Sequence, residues 1–213
     1  MPPRVKICGI STPEALHAAV AGGASHIGFV FFSKSPRNVA LDQARSLAEN
    51  LPSHVTSVAL VVDTNHEFLN EIVNLVPRLG AIQFHGKETP EQLSLWRGQS
   101  FEVWKAIAVR SKADLEAASR FAGSADRLLY DAKPPEGADL PGGTGQRFDW
   151  TLLRDHRPAL PWILAGGLDA RNVAEAREVT RADFFDVSSG VESAPGIKDV
   201  DKIAAFLKAA RSL

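Results

Sequence analysis

The run "VKICGISTPEALHAAVAGGASHIGFVFF" (residues 5–32) contains one complete unit of the fold. It opens with the short apolar segment VKICG (5–9). Thr12 then offers a side-chain oxygen to cap a helix, and Pro13 suits the first helical position. Gly22 and Gly23 supply the stop, and HIGFVFF (26–32) resumes as a second β-rich run. These strand segments are continuous apolar runs rather than alternating ones. Parallel strands covered on both faces have that character.

The same alternation continues to the C-terminus. Further β-rich runs are SVALVVD (57–63), AIQFHG (81–86), EVWKAIAV (102–109), RLLYDA (127–132), PWILAGG (161–167) and DFFDVSSG (183–190). Helical segments are predicted between and after them, at 40–51, 65–76, 89–98, 111–123, 148–157, 169–180 and 199–212. Thr89 with Pro90 repeats the Thr12–Pro13 device, and Ser111 with Asp114 forms a capping-box variant. Eight such units leave an open doubly wound sheet or a closed barrel. The count of eight favours an α/β fold with a single (β/α)8 TIM barrel over residues 1–213, near the lower size limit of roughly 200 residues.

Composition narrows the function. Hydrophobic residues make up 45% of the chain and charged residues 23%, with a net charge of −1. No basic block points to nucleic acid. No apolar run approaches the ~20 residues of a membrane span. One cysteine cannot form an internal disulfide, which fits a reducing, cytoplasmic setting. A monomer is expected, with a dimer as the alternative.

In a TIM barrel the active-site groups lie at the C-terminal ends of strands and in the loops that follow. Cys8, Asp63, His85 and Asp131 meet that test, as do Gly166, Gly167, Ser188, Ser189 and Gly190. The glycine-rich ends of strands 7 and 8 suit a phosphate, because glycine lets backbone N–H groups approach an anion. Cys8 reads either as an inert core thiol or as a base or nucleophile, with Lys6 on the same side of the strand to favour a thiolate. Asp131 reads as an acid or as an ion-pair or cap residue. Arg37, in the loop after strand 2, could clamp a carboxylate or phosphate, and His85 could donate to a ligand. No spacing suggests a metal site. Gln83, His85, Lys105 and Asp186 are polar residues expected inside the barrel, and closure would bring Asp186 of strand 8 beside Lys6 of strand 1.

Seven segments, in order, resemble the phosphoribosylanthranilate isomerase family of tryptophan biosynthesis. They are KICG (6–9), GFVFFSKSPRNV (28–39), IQFHG (82–86), LLYDAK (128–133), GGTGQRFDW (142–150), ILAGGL (163–168) and FFDVSSGVESAPGIKD (184–199). The resemblance implies a cofactor-free barrel that binds a small phosphorylated substrate. It implies an Amadori rearrangement of N-(5-phospho-β-D-ribosyl)anthranilate to 1-(2-carboxyphenylamino)-1-deoxy-D-ribulose 5-phosphate. By resemblance Cys8 is the general base, Asp131 the general acid and Arg37 the contact for the anthranilate carboxylate. His85, Gly143 and Gly145 are assigned to substrate, and Gly166, Gly167, Ser188, Ser189 and Gly190 to its phosphate. Lys6 and Asp186 support, and Gly9 leaves room for substrate. The Pro- and Gly-rich loop 134–147 is expected to act as a lid. The base needs a thiol whose pKa is lowered by nearby positive charge. Two readings compete. A histidine-pathway aminoaldose isomerase would carry an aspartate in place of Cys8. A non-catalytic phosphate-binding barrel would not need both Cys8 and Asp131.

Overall fold

The computed structural model describes residues 2–133, 142, 143 and 145–213. Eight strands close into a barrel in sequence order: β1 (Arg4–Cys8), β2 (His26–Phe31), β3 (Thr56–Val61), β4 (Leu79–Phe84), β5 (Glu102–Val109), β6 (Arg127–Ala132), β7 (Trp162–Leu164) and β8 (Phe184–Val187). Each neighbouring pair is parallel, and β8 closes on β1 with Asp186 in register with Lys6. The helices are α1 (Pro13–Ala21), α2 (Leu41–Glu49), α3 (His66–Leu75), α4 (Pro90–Ser94), α5 (Lys112–Ala117), α6 (Val173–Thr180) and α7 (Val200–Arg211). No described helix is long and apolar enough to cross a membrane.

Capping works as the sequence predicts. The Thr12 side chain accepts from the Ala15 N–H at the start of α1, and Thr89 and Gln92 form a reciprocal capping box on α4. Several expected helices are shorter. The 148–157 segment is one 3₁₀ turn at Trp150–Leu153. Its two buried anchors, Trp150 and Leu153, are three residues apart, which suits the 3₁₀ repeat. The segment 111–123 changes from α5 to a 3₁₀ turn at Ala118–Phe121. Helix α4 stops at Ser94, well before Gly98. Helix α6 starts late because Asp169 Oδ1 accepts from the N–H groups of Arg171 and Asn172, holding a turn ahead of it. A small antiparallel hairpin, β9 (Glu192–Ala194) and β10 (Ile197–Lys198), follows β8 and was not expected from the sequence.

Strand alternation sorts the core into two compartments. One face of the strands packs against the helices, in a large cluster that includes Ile7, Ile27, Phe29, Phe84 and Phe185. The other faces inward, where Val58, Ala81, Trp104, Ala106, Leu129, Ile163, Ala165 and Phe184 form a packed layer. Cys8, Val30 and Leu60 make a third cluster at the C-terminal end. Lys105 corrects one expectation. It alternates with inward-facing Trp104 and Ala106, so it points to the helix side, where its Nζ donates to Glu88 at 2.8 Å and to the Gly86 carbonyl at 2.7 Å.

The N-terminal end of the barrel interior contains His26, packed 4.7 Å from the Phe184 ring and 5.6 Å from that of Trp104. Burial, reinforced by Arg4, Lys6 and Arg127, pushes its pKa down to about 3. An unfolded chain takes up this proton near pH 6.5. Between those values the unfolded state therefore binds more protons, and stability falls as the pH drops. The melting temperature of the wild type should fall more steeply than that of His26→Phe between pH 6.5 and 4. Parallel melting curves would remove His26 as a source of acid lability.

Candidate active site

The strand ends open into a cleft at the C-terminal face of the barrel. Cys8, Arg37, His85, Asp131, Gly143, Gly145, Gly166, Gly167, Ser188 and Ser189 line it, together with Asp186. Lys6 lies beneath it, fully buried. Gly190 is not part of the lining; a Cβ there would run into the Leu168 carbonyl, so Gly190 lets the loops after β7 and β8 touch. Val30, Phe32, Leu60 and Val62 make an apolar wall from the ends of β2 and β3. Within the expected lid, residues 134–141 and 144 lie outside the described residues. No group of three or more His, Cys, Asp or Glu is placed to hold a metal ion among the described residues.

Cys8 ends β1 and is buried. Gly28 on the neighbouring strand makes space for it: a Cβ there would lie 3.0 Å from the Cys8 Sγ and 2.9 Å from the Lys6 Cε. Burial pushes the Cys8 thiol up, and Asp186 adds to the rise; Lys6 and Lys198 pull the other way and are outweighed. This corrects the expected lowering. The Lys6 charge is already engaged, because its Nζ donates to Asp186 Oδ1 at 3.0 Å and to Gln83 Oε1 at 2.8 Å. Burial alone would lower the Lys6 pKa, but Asp186 and Cys8 raise it above the ordinary lysine value.

Arg37 is also engaged. Its Nε donates to Glu192 Oε1 at 2.7 Å, and its Nη2 to Glu192 Oε2 at 2.8 Å and to the Gly143 carbonyl at 3.1 Å. Glu192 in turn accepts from Lys198 Nζ at 2.7 Å. Burial would raise the Glu192 carboxyl, yet Arg37 and Lys198 hold it below the usual carboxylate range. The Arg37 stem crosses Gly9, where a Cβ would come within 2.8 Å of its Cδ. The space at Gly9 is therefore filled by Arg37 rather than reserved for substrate. Glu192 and Lys198 were missed as site residues. Both stand in the SSGVE and GIKD part of the motif, and the hairpin β9–β10 carries them back against Arg37 and Ser188 at the cleft wall.

Asp131 is the fifth residue of β6. Its Oδ1 accepts the Ala132 N–H at 2.8 Å, and its Oδ2 lies 3.4 Å from His85 Nε2. Two glycines crowd this carboxyl. A Cβ at Gly142 would lie 2.5 Å from Oδ2 and 2.7 Å from His85 Nε2, and one at Gly166 would lie 3.0 Å from Oδ1. The Ser188 hydroxyl donates to the Cys8 carbonyl at 3.2 Å, and Lys198 Nζ donates to the Ser188 carbonyl at 2.9 Å. The N–H groups of Gly166, Gly167 and Ser189, which line the cleft, make no hydrogen bond to other described residues. They form a cluster of donors suited to an anion.

Comparison with known proteins agrees with this geometry. Residues 5–209 match the family model described as N-(5'phosphoribosyl)anthranilate (PRA) isomerase. A relative named N-(5'-phosphoribosyl)anthranilate isomerase from Zymomonas mobilis subsp. pomaceae is 50% identical over 99% of each chain. One of the same name from Paramagnetospirillum magneticum is 51% identical over 99% of this chain and 98% of its own. The crystal structure of phosphoribosyl anthranilate isomerase from Thermotoga maritima superposes with a TM-score of 0.88 at 37% identity, covering 99% of this chain and all (100%) of that one. With a closed eight-stranded parallel barrel, the full-length match and the relatives' names in agreement, the chain belongs to the N-(5'-phosphoribosyl)anthranilate isomerase family.

Proposed function

We propose that Cys8 and Asp131 are the base and acid that convert N-(5-phospho-β-D-ribosyl)anthranilate into 1-(2-carboxyphenylamino)-1-deoxy-D-ribulose 5-phosphate. The observation that carries the reading is a thiol on β1 and a carboxyl on β6 facing one cleft, where Asp186 is already paired with Lys6 and a cluster of backbone donors lies nearby. A related isomerase has been crystallised with reduced 1-(o-carboxyphenylamino)-1-deoxyribulose 5-phosphate; it is 35% identical, with a TM-score of 0.85 over 99% of this chain. That ligand has an aryl carboxylate at one end and a phosphate at the other. In this chain the apolar wall and Arg37 suit the first, and the Gly166–Gly167 and Ser189 backbone suits the second.

The chemistry needs one acid and one base. Asp131 donates a proton to the ribose ring oxygen while the anilino nitrogen pushes electrons into C1. The C1–O bond breaks and an iminium forms. Cys8 then takes the C2 proton, and the electron pair left behind gives an enolamine that tautomerises to the ketone. Arg37 has Nε and Nη2 turned to Glu192, so Nη1 is the group left for the aryl carboxylate. A single copy is taken as the working unit, and the lone cysteine suits a reducing cytoplasmic setting.

The test is turnover of phosphoribosylanthranilate by the purified chain. Product binding without turnover would make the protein a binding barrel instead. Because burial holds the thiol high, iodoacetamide should alkylate this single cysteine at a rate that keeps climbing with pH beyond the range in which a free thiol ionises. An alkylation rate that levels off at or below the free-thiol range would show that the fold does not hold Cys8 high.

A further inference from the structure

Lys6, Gln83, His85 and Asp131 form a continuous line across the barrel interior. Lys6 Nζ lies 2.8 Å from Gln83 Oε1, Gln83 Nε2 lies 3.0 Å from His85 Nδ1, and His85 Nε2 lies 3.4 Å from Asp131 Oδ2. Gln83 and Lys6 are fully buried. An ammonium can only donate, so the Gln83 atom facing Lys6 must be the carbonyl oxygen. The amide nitrogen then faces His85, and it too can only donate. Nδ1 of His85 must therefore accept, which leaves the ring proton on Nε2, facing Asp131.

We propose that Gln83 is a positioning residue for the acid step. It fixes the His85 tautomer, and so fixes where the Asp131 proton can sit. With Nε2 carrying a hydrogen, His85 cannot accept the carboxyl proton. Oδ1 is occupied by the Ala132 N–H. The acid proton is left on Oδ2 and turned into the cleft, toward substrate. Once it has been transferred, Nε2–H becomes the donor that stabilises the carboxylate. Gly142 lies over this pair so closely that any side chain there would strike it, which keeps the His85–Asp131 contact covered. The proposal rests on Asp131 being the acid.

Gln83→Glu reverses the logic at nearly constant volume. A carboxylate still accepts from Lys6, but it also accepts from His85 Nδ1–H. The ring then presents a bare Nε2 to Asp131 and captures the proton meant for substrate. The experiment is a multiple-bond ¹H–¹⁵N spectrum of the full chain with ¹⁵N-labelled histidine. The His85 signals are identified by their loss in His85→Asn. Wild type should show a protonated Nε2 and a bare Nδ1. Gln83→Glu should show Nδ1 protonated, with kcat reduced about tenfold or more and KM changed by less than about threefold. A wild-type ring protonated on Nδ1 overturns the proposal, whether or not the variant folds. So does a variant whose tautomer switches while kcat stays unchanged and Asp131→Asn is inactive. If Asp131→Asn itself turns over normally, the acid assignment fails, and the tautomer result still stands on the spectrum alone.

Discussion

Asp131→Asn and Cys8→Ser should each lower kcat by about 10²–10⁴-fold while leaving the dissociation constant for the reduced product analogue within about threefold. The two substitutions are close to isosteric. The amide introduced by Asp131→Asn would keep the acceptor to the Ala132 N–H and fill the space beside Gly142 and Gly166. It would hold no proton of carboxylic acidity. The hydroxyl introduced by Cys8→Ser would fit the space left by Gly28, but it is a far weaker acid than a thiol, so the basic form is scarce at neutral pH. The double variant should be little worse than the poorer single one, because acid and base act within one reaction sequence and their losses do not add. Single-turnover kinetics would separate the steps: Asp131→Asn stalls ring opening and Cys8→Ser stalls C2 proton removal. If both variants turn over at wild-type rates, the assignment of acid and base is wrong.

These two residues could be found from the sequence because each is the polar group near the end of an apolar strand, and a barrel puts such ends in one place. The same rule located the glycine-rich ends of β7 and β8 and the Lys6–Asp186 contact, since closure makes β8 the neighbour of β1. What it could not locate has physical causes. Gln83 meets Lys6 across the barrel interior, between strands that are not neighbours, so no register rule pairs them. Glu192 and Lys198 reach Arg37 and Ser188 through a hairpin of three- and two-residue strands, too short for a periodic signal. The direction of the Cys8 shift depends on depth and on how much of the Lys6 charge Asp186 has already taken. A linear reading sees Lys6 and places Asp186 beside it, but not the depth of the thiol, and that burial is the largest cause of the rise.

That shared charge predicts the largest stability effect. Lys6→Met should destabilise the fold by about 3–5 kcal/mol, because it leaves Asp186 buried without its cation. Asp186→Leu should cost a similar amount by leaving Lys6 fully buried and short of its counter-ion. If the costs came from two independent sites, the double variant would lose the sum, about 6–10 kcal/mol. Most of each penalty is instead that of an orphaned charge, and the double variant has none. It should lose only about 1–3 kcal/mol, the cost of Gln83 Oε1 left without a donor. Urea unfolding of the four proteins measures the coupling directly. Additive losses would show that the pair is not acting as a unit. The remaining deficit also has a direction: with Lys6 gone, nothing forces Gln83 to face His85 with its nitrogen, so the double variant should fold while its His85 ring loses its single tautomer.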